Sequence, residues 1–211
     1  FLRVLKPDGT FILNIKEKVV NGERSTYVIQ LILALRAQGW IWTEEFIWHK
    51  STTTPGKWPN RFRDSWERCL QFNKTRQFRM YQDAVMVPAK ESTLIRGTHL
   101  SEQDHARYTS KTNSGYGRNN ERTCTREMVY PSNVLYLSSE TGNKNHPAAY
   151  PEKLPEWFIR LFTVEGDIVL DPFVGSGTTP VVSKRLGRHY IGIDILENNC
   201  EISHNRIGGI A

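Results

Sequence analysis

The segment from position 171 to 179, with the sequence DPFVGSGTT, constrains the fold of this chain more than any other. It follows a short apolar run at 168–170 that predicts a strand, and it leads into a pattern that predicts a helix. A strand, a glycine-rich turn and a helix in this order are typical of open α/β sheets, which bind nucleotide-like ligands at the carboxyl ends of their strands. Gly175 and Gly177 let the backbone approach such a ligand closely and adopt turn conformations that other residues avoid.

Two carboxylates accompany this turn. Asp171 ends the first strand, and Asp194 ends the next predicted strand, at about the 20-residue separation that suits hydrogen bonds to ribose hydroxyls. A dinucleotide fits less well, because Pro180 stands where its third glycine belongs and Asp171 would repel a pyrophosphate. S-Adenosylmethionine (SAM), which carries an ammonium, a sulfonium and a ribose, fits this pair of carboxylates better. A tight glycine-rich turn without any ligand is the alternative interpretation.

Strands and helices alternate along much of the chain. Strands are predicted at 10–15, 40–48, 68–74, 133–137, 168–170 and 189–194. Helices are predicted from Ser25 and Thr26 to about Gly39, at 151–162, and from about 178 to 186. This alternation favours an α/β sandwich with a mostly parallel sheet.

The middle third of the chain differs from the rest. Residues 88–131 are rich in Ser, Thr, Asn, Gly and Arg, which predicts a long loop or insertion that is functional or ordered only by a partner. The formal net charge is +6, and the basic excess is concentrated between Lys50 and Arg126. Clustered Lys and Arg indicate a polyanionic partner. A solvated basic surface is the alternative.

Composition restricts the class of protein. A length of 211 residues fits one domain, or one domain with a large insertion. No apolar run approaches the roughly 18–20 residues that span a bilayer, and no secretory signal is visible. The three cysteines are widely spaced and form neither a disulfide framework nor a zinc-ligand pair. We therefore expect a cytoplasmic protein of bacterial or phage origin without a bound metal.

Four segments together resemble one family. Residues 171–179 resemble the SAM-binding motif of bacterial DNA amino-methyltransferases of restriction–modification systems. Residues 145–155 (NHPAAYPEKLP) resemble the segment that completes the SAM pocket, and residues 3–9 and 66–74 are also similar to family segments. The resemblance covers nearly the whole chain. A SAM motif near the carboxyl end is typical of the permuted beta group, in which the catalytic half and the target-recognition insertion come first.

The resemblance implies a Rossmann-like α/β sheet with helices on both faces, in circularly permuted order. Residues 1–87 would be the remainder of the catalytic half, 88–131 the target-recognition insertion and 132–211 the SAM-binding half. The implied SAM contacts are Asp171, Pro172, Phe173, Gly175, Ser176, Gly177, Thr178, Asp194, Asn145, His146, Pro147 and Ala148. The candidate contacts to double-stranded DNA are Lys57, Arg61, Arg63, Lys111 and Arg118.

The family transfers the SAM methyl directly to an exocyclic amino nitrogen of a base flipped out of the duplex. Its catalytic motif is a Ser or Asp followed by Pro-Pro and an aromatic residue, and none of the ten prolines of this chain follows another. The family order places that motif before Phe1. We therefore expect a truncated or split enzyme that is inactive alone, and a second chain as a possible source of the motif.

Several alternatives remain open at this level. The forms of residues 150–155 and 56–64 resemble the cytosine-N4 enzymes more than the adenine-N6 enzymes, although no residue gives a physical reason for the choice. A degenerate SAM-fold protein that holds DNA without chemistry is a second class. A nucleotide-dependent oxidoreductase is a third, disfavoured by Pro180 and Asp171.

Overall fold

A computed structural model describes residues 1–53, 56, 59–98, 126–139 and 150–209. The chain divides into two compact units, one formed by Phe1–Tyr81 with Ser132–Ala211 and the other by Gln82–Pro131. The strands are β1 (Thr10–Ile15), β2 (Val19–Val20), β3 (Glu23–Arg24), β4 (Ile41–Lys50), β5 (Trp66–Asn73), β6 (Val87–Pro88), β7 (Met128–Val129), β8 (Val134–Leu137), β9 (Ile168–Asp171) and β10 (His189–Gly192). The helices are α1 (Tyr27–Ala37), α2 (Glu91–Thr98), α3 (Lys153–Phe162), α4 (Thr178–Arg185) and α5 (Glu197–Gly208). In these ranges, no helix is long and apolar enough to cross a membrane.

A four-stranded sheet in the order β1-β5-β4-β8 forms the larger part of the first unit. Strand β5 runs antiparallel to both neighbours, whereas β4 and β8 run parallel. The expectation of a mostly parallel sheet is therefore wrong for this part of the fold. A parallel pair needs a long crossover, whereas an antiparallel neighbour does not, and the sequence between β4 and β5 predicted no helix.

Helix α1 covers one face of this sheet. Its buried residues Val28 and Ile32 pack with Leu70 and Phe72 of β5 and with Trp40. The helix ends as predicted near Gly39, which has a φ of +99°. The i, i+4 spacing of the two helix residues is the signal that made this helix predictable.

Helix α3 covers the opposite face. Cys69 points away from α1, because alternate residues of a strand face opposite sides of a sheet. Phe46 of β4 is the register partner of Cys69, and its ring contacts Trp157 and Phe158 of α3 at centroid distances of 5.2 and 5.3 Å. The predicted arrangement with helices on both faces is therefore present.

Strands β9 and β10 form a separate parallel pair in the same unit. Arg79 links the two sheets at one end. Its Nε lies 3.1 Å from Asp8, just before β1, and its Nη1 lies 2.9 Å from Asp167, just before β9. The amino ends of β1 and β9 therefore lie together, so their carboxyl ends share the other edge of the unit.

A small hairpin follows β1. Strands β2 and β3 pair antiparallel around Asn21 and Gly22, whose φ angles are +50° and +82°. An Asn-Gly pair adopts these angles readily, which makes it typical of tight hairpin turns. The sequence analysis did not predict this hairpin, although its signal was present.

The second unit contains a 3-10 turn at Gln82–Val85, the antiparallel pair β6 and β7, and helix α2. Helix α2 lies within the stretch expected to be a long loop, so that expectation is wrong for Glu91–Thr98. Positions 99–125, the larger part of the predicted insertion, lie outside the described residues. The assignment of 88–131 to target recognition stays a prediction.

Candidate functional site

The glycine-rich turn lies between the carboxyl end of β9 and the beginning of α4, as the sequence predicted. Gly175 and Gly177 both have positive φ angles, +50° and +82°. A Cβ atom on Gly177 would lie 2.5 Å from the Oγ and 2.9 Å from the Cα of Ser203 in α5. Both the backbone angle and the space therefore require glycine at position 177.

Asp171 is held at the start of the turn by two donors. Its Oδ1 accepts a hydrogen bond from the backbone N–H of Phe173 at 3.0 Å, and its Oδ2 accepts one from the Tyr150 hydroxyl at 3.2 Å. The Tyr150 oxygen also lies 2.6 Å from Oγ1 of Thr179 in α4. Burial, aided by the Asp171 carboxylate, raises the pKa of Tyr150 well above its usual value, so the hydroxyl stays protonated at neutral pH.

Asp194 approaches the turn from the end of the neighbouring strand. Its Oδ2 accepts a hydrogen bond from the N–H of Gly175 at 2.9 Å. Its Oδ1 accepts hydrogen bonds from the N–H of Leu196 at 3.0 Å and from the side chain of Asn199 at 3.1 Å. The structure thus brings the two predicted carboxylates to opposite sides of one turn. A carboxylate can accept about four hydrogen bonds, so these contacts leave capacity for a ligand hydroxyl.

The other predicted residues of the turn divide into two groups. Phe173 is 80% exposed and projects from the turn, next to Pro172. Ser176 and Thr178 are buried on the side of α5. Arg206 of α5 donates hydrogen bonds to the Ser176 carbonyl at 3.3 Å and to Thr178 Oγ1 at 3.2 Å.

Arg206 belongs to a network of ion pairs behind the turn. It also contacts Glu152 at 2.7 Å, and Glu152 and Glu156 both contact Arg185 of α4. Partial burial acts to raise the pKa of Glu152, but the hydrogen bonds from the two arginines outweigh it and lower the pKa. The network joins α3, α4 and α5 and so fixes the turn from behind.

Sequence reasoning missed Tyr150, Ser203 and Arg206 as functional supports. The segment containing Tyr150 was noted only through the family resemblance, and α5 was not predicted at all. Helix α5 buries only Ser203 and Ile207, so its sequence carries little helical periodicity.

Some predicted contacts lie outside the described residues. These are Asn145, His146, Pro147 and Ala148 among the SAM contacts and Lys57, Lys111 and Arg118 among the DNA contacts. Arg61 is described and lies 3.7 Å from Asp64, whereas Arg63 is exposed. Among the described positions, no group of three or more His, Cys, Asp or Glu residues could hold a metal ion.

Comparison with known proteins identifies the family. Residues 1–205 match the family model N6_N4_Mtase, described as DNA methylase. The chain belongs to this DNA methylase family. The resemblance inferred from the four sequence segments is therefore confirmed.

The similar curated proteins of this family are type II methyltransferases. M.PvuII of Proteus hauseri is 30% identical over 213 residues, which cover 90% of this chain and 62% of that protein. M2.DpnII of Streptococcus pneumoniae is 55% identical over 62 residues, or 29% of this chain and 23% of that protein. M2.LlaDCHI of Lactococcus lactis subsp. cremoris is 49% identical over 73 residues, or 35% of this chain and 27% of that protein. This DNA methylase therefore spans less than two thirds of the length of these relatives.

Solved structures confirm the fold class. The cytosine-N4-specific PvuII DNA methyltransferase has a TM-score of 0.69 at 24% identity, over 98% of this chain and 67% of that one. TTHA0409 of Thermus thermophilus, a DNA modification methylase solved with S-adenosyl-L-methionine, has a TM-score of 0.61 at 21% identity, over 98% of this chain and 71% of that one. The α/β methyltransferase fold of this family member is thus established.

Proposed function

We propose that this DNA methylase chain binds SAM and serves in the transfer of its methyl group to an exocyclic amino group, cytosine N4, of double-stranded DNA in the cytoplasm. The observation that carries this proposal is the glycine-rich turn at the end of β9, flanked by the carboxylates of Asp171 and Asp194. Because the chain spans 62% of M.PvuII, the activity of the whole protein belongs to the proposal.

The chemistry of the turn fits SAM better than a dinucleotide. Residues 171–177 contain no Lys or Arg that could neutralise a pyrophosphate. Arg206 lies behind the turn but is paired with Glu152. In our proposal, Asp171 faces the cationic methionine part of SAM and Asp194 accepts hydrogen bonds from its ribose hydroxyls.

The remaining contacts complete the proposed SAM site. Pro172, Phe173, Gly175, Ser176, Gly177 and Thr178 form the wall of the turn, and Asn145, His146, Pro147 and Ala148 complete the pocket by family resemblance. Bound SAM would supply an activated methyl group on a sulfonium. The structure of TTHA0409 with SAM supports this choice of cofactor.

The nucleophile needs help that these 211 residues do not contain. The lone pair of an exocyclic amino nitrogen is delocalised into the base, so the family uses a Ser or Asp with Pro-Pro to accept the amino hydrogens. The 211 residues contain no Pro-Pro pair. We therefore expect SAM and DNA binding by this chain, and methyl transfer only when another polypeptide segment, in the same or a second chain, supplies that motif.

The choice of cytosine N4 over adenine N6 rests on similarity. The PvuII enzyme is named as cytosine-N4-specific, and M.PvuII is 30% identical over 90% of this chain. Adenine N6 is the alternative within the same family, whose model covers both in its name.

Calorimetry with SAM and with NAD tests the cofactor. We expect the chain to bind SAM and not NAD, and we expect Gly177→Leu to abolish SAM binding while DNA binding persists. Gly166→Ala, at a glycine of similar φ outside the turn, is the control. Binding of NAD without SAM would overturn the proposal in favour of an oxidoreductase. Methyl transfer from radiolabelled SAM by the 211 residues alone would refute the need for the missing motif.

A further inference from the structure

A cluster of basic residues lies away from the glycine-rich turn, in the same unit of the chain. It surrounds a cavity of about 370 Å³ that is open to solvent and lies just after β1. The cavity is lined by Lys16, Glu17, Lys18, Val19, Arg61 and Asp64. Of these residues, sequence reasoning considered only Arg61 as a DNA contact.

Asp64 organises this cluster. Its carboxylate contacts Arg24 at 2.5 Å, Arg61 at 3.7 Å and Lys16 at 3.8 Å, and its side chain is only 15% exposed. Partial burial acts to raise the pKa of Asp64, but the hydrogen bond from Arg24 and the other cations outweigh it and lower the pKa. The carboxylate therefore stays charged at neutral pH and holds three cations near one point.

The hairpin of β2 and β3 places one of these cations. The register of the hairpin sets Arg24 opposite Val19, which lines the cavity. The turn at Asn21 and Gly22 therefore returns the chain toward Asp64. In this way residues separated along the sequence converge on one carboxylate.

The charge balance of the cavity favours an anion. The second acidic residue of the lining, Glu17, contacts Arg68 at 2.6 Å. Asp64 has its shortest contact to Arg24, which is not part of the lining. Both carboxylates are therefore offset by arginines outside the cavity, whereas Lys16, Lys18 and Arg61 add positive charge within it.

The location of the cavity matches the proposed SAM site. Residue 16 follows directly after the last residue of β1, and Arg79 holds the amino ends of β1 and β9 together. The carboxyl ends of both strands, and so the cavity and the glycine-rich turn, lie on the same edge of the unit. An anion bound there would belong to the molecule that approaches the SAM site.

We propose that Lys16, Lys18 and Arg61 form a binding site for a backbone phosphate of the DNA substrate, with Asp64 and Arg24 as positioning residues. This inference rests on the proposed function, because it takes DNA to be the substrate. Phosphate contacts fix the position of a protein on a duplex without reading its sequence. The site would hold the duplex at the edge where the target base meets SAM.

Fluorescence anisotropy with a short labelled duplex at several KCl concentrations tests this site. Lys16→Gln combined with Lys18→Gln should weaken binding by about tenfold and lower the salt slope of the affinity by about 2, since each lost phosphate contact lowers it by about 1. The combination Lys16→Arg with Lys18→Arg should restore both values, because it keeps the charge.

A matched control separates a local site from a general field. Arg36→Gln combined with Arg160→Gln removes the same charge at the last turns of α1 and α3. These turns precede the beginnings of β4 and β9 and so lie at the opposite edge. The control should leave the salt slope unchanged.

The outcomes separate this inference from the proposed function. Equal losses in the lysine variant and the control, or no loss in the lysine variant, would overturn the phosphate site while the proposed function stands. If the unmodified chain bound neither DNA nor SAM, the proposed function would fall and this inference with it. A loss confined to the lysine variant, with SAM binding retained, supports the site.

Discussion

Gly177 faces Ser203 so closely that no side chain fits between them. A Cβ at position 177 would lie 2.9 Å from the Cα of Ser203, and the φ of Gly177 is +82°. The turn that carries the proposed SAM site is thus packed directly against α5. Several expected outcomes follow from contacts of this kind.

Gly177→Ala should destabilise the protein more than Gly166→Ala. Gly166 has a nearly equal φ of +83°, but a Cβ there meets no atom within 4 Å. Backbone strain alone costs about 1–2 kcal/mol, and overpacking adds about 1–3 kcal/mol at Gly177 only. Urea unfolding measures both variants, and equal losses would show that the contact with Ser203 is relieved without cost.

Tyr150→Phe should weaken SAM binding, because it removes the donor that holds Asp171 and contacts Thr179. The loss of a buried hydrogen bond should also lower the free energy of unfolding by about 1–2 kcal/mol. Tyr136→Phe, at a site that is 70% exposed, is the control and should change neither quantity. Calorimetry and urea unfolding give the two values, and unchanged SAM affinity in Tyr150→Phe would contradict the positioning role.

The stability of the protein should fall in acid, in part through Asp167. Burial acts to raise its pKa, but the N–H of Val164 and the guanidinium of Arg79 outweigh it and lower the pKa. A carboxylate whose pKa is lower in the folded state stabilises that state above its unfolded pKa, and this contribution is lost as the pH falls through the folded pKa.

Asp167→Asn should therefore lose less stability than the unmodified chain between about pH 5 and pH 3. Urea unfolding across this range measures the slope of stability against pH. Glu201→Gln, at an exposed position of α5, is the control. An Asp167→Asn slope equal to that of the unmodified chain would contradict the contribution assigned to Asp167.

The described cysteines should differ in reactivity. Cys69 is buried in β5, and burial raises the pKa of its thiol to about 12, whereas Cys200 is exposed on α5. In a Cys124→Ser background, a thiol reagent should label Cys200 in the native protein and Cys69 only after unfolding. Cys200 lies beside Asp194, with its Sγ 3.9 Å from the Asp194 carbonyl oxygen. Saturating SAM should therefore slow the labelling of Cys200, and rapid native labelling of Cys69 would contradict the packing of β5.

Local patterns were sufficient to predict much of the fold. Strand β1 occupies the residues that the apolar run indicated, and α1 ends near Gly39. The glycine-rich turn also lies where its sequence placed it, between β9 and α4. These features depend on neighbours within a few residues, so the sequence displays them directly.

Features that depend on weak local signals were missed or wrong. Helix α5 buries few side chains, and helix α2 lies in a polar stretch that resembled a loop. The reversal of β5 was also missed, since strand direction depends on which neighbours pair. In each case the structure depends on contacts that a short window of sequence does not contain.

The sequence by itself determined the family, the positions of most strands and helices in the first unit, and the turn with its glycines and two carboxylates. Only the tertiary structure decided what holds that turn, namely Tyr150 on Asp171 and Arg206 on Ser176 and Thr178. It alone also gathered Lys16, Arg24 and Arg61 around Asp64. The physical reason is that turn geometry follows from backbone freedom at a few adjacent residues, whereas ion pairs and packing join residues that are distant along the chain.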